Sequence, residues 1–140
     1  MVQILPYSAV AHLTDAARTD GVTIEDDPAT EWFGYALPDG RVVAAGGLKE
    51  LLPGMFRLRG AFTLPAFRAL GIGGLLSASR IQRATERGAV VIETHSKHPP
   101  FYLAQGWMDS GERTASGAWV LRFVLTREVA DDLGIHSSAS

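Results

Sequence analysis

The chain has 140 residues, with 13 Lys and Arg against 15 Asp and Glu and a formal charge of −2. That length suits one domain, a hydrophobic share of 46% can build a core, and the charge argues against a nucleic-acid binder, which carries surplus cations. No apolar run approaches the roughly 20 residues that span a bilayer, the start MVQILPYS reads as no secretory signal, and the absence of cysteine removes disulfides and thiolate chemistry; a cytoplasmic protein fits these features.

Residues 2–8 predict a short strand, with Pro6 favouring a sheet edge. Residues 9–19 predict a helix with Ser8 as N-cap and Gly21 past its end. Acidic, Pro-containing residues 22–30 predict a loop. Glu31–Leu37 and Arg41–Leu48 flank Pro38-Asp39-Gly40, the signature of a hairpin. Trp32, Phe33 and Tyr35 lie in that hairpin, where aromatics are more often core than pocket lining. In residues 55–64, Phe56, Leu58 and Gly60 alternate with Arg57 and Arg59, which predicts a strand with one wetter face. Gly60 within it predicts a bulge or a close backbone approach.

Residues 74–87, closed by Gly88, predict a helix. At 100° per residue Gly74, Ser77, Ala78, Ile81, Ala84 and Thr85 share one side, expected to face inward. Arg80, Arg83 and Arg87 share the other, expected to be solvated, and Leu76 falls near this Arg side and does not fit the pattern. Ala89–Thr94 is an apolar, β-branched central strand. Residues 99–105 suit a short helix with Pro at its start and Gly106 at C′. Trp107–Arg113 and Ala118–Thr126 predict two more strands, and the ending HSSAS predicts a frayed tail over 135–140, leaving one domain over 1–134. The order β, α, ββ, β, α, β, α, ββ predicts an α/β (mixed α+β) fold, a mixed sheet with helices on both faces.

The junction Thr63-Leu-Pro-Ala-Phe-Arg68-Ala-Leu-Gly71-Ile-Gly73-Gly74 carries the chemistry. Its glycines leave no Cβ between main chain and ligand. The helix start offers unpaired N–H donors and a positive dipole end. Together they make an anion cradle suited to phosphate, beside which Arg68 adds a charge. No Walker loop is present, since Leu75 and Leu76 follow Gly74, and Leu76 breaks a GxGxxG fingerprint. There is no HExxH pair for zinc and no GxSxG elbow for a nucleophilic serine.

Arg68-Ala-Leu-Gly71-Ile-Gly73 resembles the R/Q-x-x-G-x-G/A signature of the GNAT superfamily of acyl-CoA-dependent N-acetyltransferases, and Phe101-Tyr102-Leu-Ala-Gln-Gly106-Trp107 resembles its FYxxxGF motif. The likeness runs from about Glu31 to Leu125. It implies a mostly antiparallel central sheet splayed between the fourth and fifth strands, with acetyl-CoA (or another short acyl-CoA) as co-substrate and no metal. Pantetheine would lie between Phe56–Leu64 and Ala89–Thr94 and pair with backbone of Phe62, Thr63 and Leu64. The pyrophosphate would meet N–H groups of Arg68, Ala69, Leu70, Gly71, Ile72, Gly73 and Gly74. A bulge near Gly60–Phe62 would free an N–H to polarise the thioester carbonyl.

The resemblance implies Tyr102 as proton donor to the departing thiolate. For the base, Glu93 and His95 stand two apart on a strand and so share a face; a carboxylate accepts a proton, and imidazole as a type titrates near 6.5. Glu50 and His98 are weaker candidates. The reaction implied is direct attack by a primary amine of unspecified identity, through a tetrahedral intermediate. The competing reading is a CoA-binding or protein-interaction module without turnover. Nucleic acid and membrane are not expected partners, and exposed sheet edges make a homodimer plausible.

Overall fold

The computed structural model describes residues 1–125. The expected tail at 135–140, the domain limit at 134 and Thr126 at the end of the last predicted strand lie outside these residues.

Seven strands form one sheet in the order β1-β2-β3-β4-β5-β7-β6. They are β1 (Val2–Leu5), β2 (Thr30–Ala36), β3 (Val42–Leu52), β4 (Met55–Thr63), β5 (Val91–Ser96), β6 (Met108–Arg113) and β7 (Trp119–Val124). Every pairing is antiparallel except β4 with β5. The helices are α1 (Thr14–Thr19), α2 (Ile72–Glu86) and α3 (Pro99–Leu103). One sheet face carries α1, where Val10, Leu13 and Ala17 pack on Trp32, Ala45 and Phe62. The other carries α2, whose Ile72, Leu76 and Ala84 pack on Phe33, Phe56 and Leu58, with Tyr102 of α3 against the same cluster. This is the expected mixed α/β class, with helices on both faces. Trp32 and Phe33 are buried in the core, as their strand setting predicts.

Two features of β4 shape everything that follows. It pairs with β5 only over Met55–Leu58 against Val91–Thr94, and beyond that the two strands part. This is the splay expected between the fourth and fifth strands. It also bulges: Arg59 faces Gly47 and Phe62 faces Ala45, so Gly60 and Ala61 together oppose the single residue Gly46. Gly60 has φ +66°, and a Cβ there would lie 2.7 Å from the Thr23 carbonyl oxygen and 2.8 Å from the Trp32 ring. The extra residue inverts the pleat, since side chains alternate with period two. Phe56 and Leu58 therefore face α2, while Phe62 faces α1.

Several local expectations are corrected. The first strand stops at Leu5, and residues 9–19 are not one helix but follow two 3-10 turns, Tyr7–Ala9 and Ala11–Leu13, before α1. Ser8 lies inside the first turn rather than capping a helix. The turns are tied down by tertiary bonds, Tyr7 Oη to Thr14 Oγ1 at 3.2 Å and His12 Nε2 to the Val42 carbonyl at 2.7 Å. β3 runs on to Leu52 and turns directly into β4 at Pro53-Gly54, where Gly54 has φ +81°. α2 begins at Ile72, two residues earlier than the pattern indicates.

The larger correction concerns the inward side of α2. Its buried residues are Ile72, Leu76, Arg80 and Ala84, a stripe of spacing four. Arg80, expected in solvent, is 2% exposed, whereas Gly74, Ala78 and Thr85, expected inside, are exposed. Leu76 lies beside Arg80 because both belong to the buried stripe. Fully burying that leucine contributes roughly 2 kcal/mol. Arg83 and Arg87 do reach outward, and both pair with Glu31 at the start of β2, at 3.2 and 2.6 Å.

Candidate functional site

The glycine-rich junction forms an open cradle at the mouth of the splay. Gly71, at φ +82°, is the N-cap of α2, and Ala69 also takes a left-handed conformation at φ +62°. Leu75 N–H is the first of the helix to find a main-chain acceptor, the Gly71 carbonyl at 3.1 Å. Among the described residues, the N–H groups of Ala69, Leu70, Gly71, Ile72, Gly73 and Gly74 have no backbone partner. A Cβ added at Gly73 or Gly74 would meet nothing within 4 Å. The Arg68 N–H instead reaches the Pro65 carbonyl at 3.3 Å. The cradle opens into a cavity of about 330 Å³ lined by Thr63, Arg68, Ala69, Gly71, Ile72 and Gly73, among others. The space, the donors and the helix dipole suit a diphosphate.

The Arg68 side chain folds back on the end of β4. Its Nε donates to the Thr63 carbonyl at 2.9 Å, its Nη2 pairs with Asp20, and its guanidinium lies 5.6 Å from the Phe62 ring centroid. Thr63 thus turns its carbonyl away from β3. Leu64 does the opposite, donating its N–H to the Val43 carbonyl at 2.9 Å, so Leu64 N–H is committed to β3.

A larger cavity of about 770 Å³ continues through the splay. Its lining includes Arg57, Gly60, Ala61, Arg80, Thr94, His95 and Tyr102. Strand parity puts these groups on two faces. Tyr102, Thr94 and Arg80 lie on the α2 side. Glu93 and His95 lie on the α1 side, with Arg57 directly across from Glu93. Tyr102 is half-buried, held edge-on between Phe101 and Trp107 with ring centroids 5.3 and 5.5 Å away. The Trp107 N–H donates to the Tyr102 carbonyl at 3.2 Å, so the aromatic motif closes its helix on itself.

Glu93 is buried and its Oε1 accepts three bonds: from Arg57 Nε at 3.0 Å, Arg57 Nη2 at 2.6 Å and the His95 ring at 3.0 Å. Its Oε2 lies 3.8 Å from Arg122 Nε. Burial alone would push this carboxyl up, but the Arg57 bonds and charge, with His95, outweigh it and hold it below the ordinary carboxylate range. The His95 ring is partly exposed to the cavity. Of the weaker candidates, His98 lines the cavity at the start of α3, and Glu50 is exposed on β3.

The structure thus brings Phe62, Thr63, Arg68 and the 69–74 cradle together at one end of the splay, and Tyr102, Glu93 and His95 at the middle, on opposite faces. Sequence reasoning missed Arg57, Asp20 and Arg80. The signal for Arg57 was its place among the alternating arginines of β4; its partner depended on the parallel register with β5. The signal for Arg80 was the misfit of Leu76.

No family model matches the chain, and no curated protein matches it. Solved structures do. A Mycobacterium tuberculosis protein in complex with CoA is 18% identical, with a TM-score of 0.77 over 90% of this chain and 99% of that one. An Escherichia coli GNAT family N-acetyltransferase in complex with CoA is 12% identical, with a TM-score of 0.68 over 91% of this chain and 82% of that one. The chain has the GNAT fold. An aminoglycoside 6′-N-acetyltransferase complexed with CoA matches the same GNAT core, at 12% identity and a TM-score of 0.73 over 90% of this chain and 97% of that one. Among the described residues, no helix is long and apolar enough to cross a membrane.

Proposed function

We propose that this protein transfers an acetyl or other short acyl group from CoA to a primary amine. The observation that carries the reading is the row of unpartnered N–H groups from Ala69 to Gly74, opening at the mouth of a splayed sheet. It is supported by the CoA bound in structures that share the fold. In this reading the cradle grips the diphosphate, pantetheine runs along β4 past Thr63, and the thioester stops at the bulge. A backbone N–H freed at Gly60–Ala61 polarises its carbonyl and then holds the tetrahedral oxyanion.

The amine comes from the α1 side and must be neutral to attack. His95 is the better base. With its Nε2–H given to Glu93, its Nδ1 lone pair can accept the amine proton directly or through water. Glu93 serves as its anchor, because a carboxylate held in charged form by Arg57 is a weak proton acceptor. Tyr102, on the far face, gives its proton to the departing sulfur.

Calorimetric titration with acetyl-CoA tests the cradle: micromolar binding is expected, and Gly73→Asp, which places a negative charge in open space, should weaken it at least about tenfold without loss of fold. Thiol release with a panel of amines tests turnover. Binding without release would make the protein a CoA-binding module instead. Tyr102→Phe should keep CoA affinity and lower kcat about 10²–10³-fold; unchanged turnover removes Tyr102 from the chemistry.

A further inference from the structure

The proposed reaction leaves one charge unused. Arg80 is buried beneath the sheet, and its guanidinium donates from Nε to the Leu76 carbonyl at 3.2 Å, from Nη1 to the Gly47 carbonyl at 3.2 Å and from Nη2 to Ser77 Oγ at 3.4 Å. None of these acceptors is an anion. A guanidinium has five N–H donors, so one on each terminal nitrogen is left over among the described residues. Among the described residues, the carboxylates near the splay are engaged elsewhere, Glu93 by Arg57 and Asp20 by Arg68.

The fold makes room for this side chain. A Cβ on Gly46, the residue opposite the bulge, would lie 2.8 Å from Arg80 Cζ. Burial pushes the Arg80 pKa down, to about 10, with the nearby Tyr102 partly opposing it, so the group stays cationic near neutrality. A buried cation without a counter-ion is unfavourable, and an apolar residue of similar volume would often be at least as stable there. The same guanidinium lines the large cavity together with Gly60, Ala61, Thr94 and Tyr102.

We propose that Arg80 is the counter-ion for the CoA sulfur: its two spare N–H groups face the negative charge that gathers there as the tetrahedral intermediate breaks down. The inference rests on the acyl-transfer reading above. When the C–S bond breaks, its electron pair stays on sulfur and the amide carbonyl re-forms. The proton that quenches the thiolate comes from the Tyr102 hydroxyl, which regains one from water. Arg80 keeps its own protons throughout and supplies a fixed field that needs no reorganisation at the moment of reaction.

The test compares CoA with desulfo-CoA, which lacks the sulfur, by calorimetry on the full chain at about pH 8.5, where thiols begin to ionise. The wild type should bind CoA on the order of tenfold more tightly. Arg80→Met should bind both equally, and Arg80→Lys should recover part of the preference. In turnover, Arg80→Met should lower kcat about a hundredfold with KM for acetyl-CoA little changed, since the neutral thioester makes no demand on the charge. A folded Arg80→Met that keeps the preference, or turns over within about threefold of the wild type, overturns the proposal. If that variant does not fold, the wild type decides: equal affinity for the two nucleotides overturns it. Failure of the wild type to bind either nucleotide sinks the acyl-transfer reading itself, and this inference with it.

Discussion

The two sides of the splay handle charge in opposite ways. On the α1 side, Arg57 and Arg122 are balanced by Glu93 and Glu112 in one group that His95 joins, and Arg59, Lys49, Glu25 and Asp27 form a second, with Lys49 at 2.9 Å and Arg59 at 3.2 Å from the same Asp27 oxygen. On the α2 side, the Arg80 guanidinium sits buried with only neutral acceptors among the described residues. Both sides are cationic by residue type, and they differ in whether the counter-ion belongs to the protein. A cation with its own carboxylate holds a shape. One without it is a standing demand for an anion, which the proposed reaction meets only when the thiolate forms.

The strongest way to break this contrast is to strain the bulge at which β4 changes face between the two sides. Gly60→Ala introduces a left-handed alanine and close contacts with Thr23 and Trp32. It should cost about 2–4 kcal/mol in urea denaturation and abolish acyl transfer if the freed N–H there holds the oxyanion. A smaller loss would mean that the backbone can relax at this point.

Next in size is Arg57→Leu, which leaves Glu93 buried beside His95 and a distant Arg122. Fully buried pairs cost about 3–5 kcal/mol to break, and with Arg57 34% exposed we expect about 2 kcal/mol at pH 7. The sign with pH follows from Glu93. Its lowered folded pKa adds stability above the unfolded value of 4.5, which is lost as pH falls through the folded value. Without Arg57 the burial penalty dominates, so the difference between variant and wild type should shrink from pH 7 towards pH 4. Chemical denaturation at several pH values reads this out.

The second group on the α1 side gives a smaller effect. The Lys49 hydrogen bond, then the Ala29 N–H, lower Asp27 from 3.8 to about 2. Its contribution is therefore complete above pH 3.8 and disappears as pH falls through about 2. Asp27→Asn should flatten the acid limb of the stability curve in that window and leave the rest of the curve parallel. The smallest effect belongs to Arg83→Gln on the outer side of α2. That half-exposed pair with Glu31 is backed by Arg87, so the change should stay within about 0.5 kcal/mol and leave turnover unaltered.

Much of the fold was legible from local chemistry. Asp39-Gly40 marked the hairpin turn, and Gly40 does take φ +91° there. Gly88 and Gly106 marked helix ends, at φ +85° and +91°. The cradle was legible because its glycines, the strand before it and the helix after it are contiguous in the chain. The N-terminal segment was not, because its 3-10 turns are held by bonds from Tyr7 to Thr14 and from His12 to Val42 that no local propensity reports. The inward side of α2 was misread because Arg was counted as polar. A long side chain enters a core when a glycine opposite leaves a slot, and Gly46 lies 34 positions away in the chain.

The amino-acid order alone therefore determined the elements, the phosphate-suited junction and the aromatic motif around Tyr102, since each depends on neighbours within a few residues. Only the tertiary structure decided which arginine meets which acid. The parallel register of β4 and β5 joined Arg57 to Glu93, and the bulge at Gly60–Ala61 turned Phe62 to the face opposite Phe56 and Leu58. The register outcome depends on pairing between distant segments, where one residue of slip turns every side chain to the opposite face.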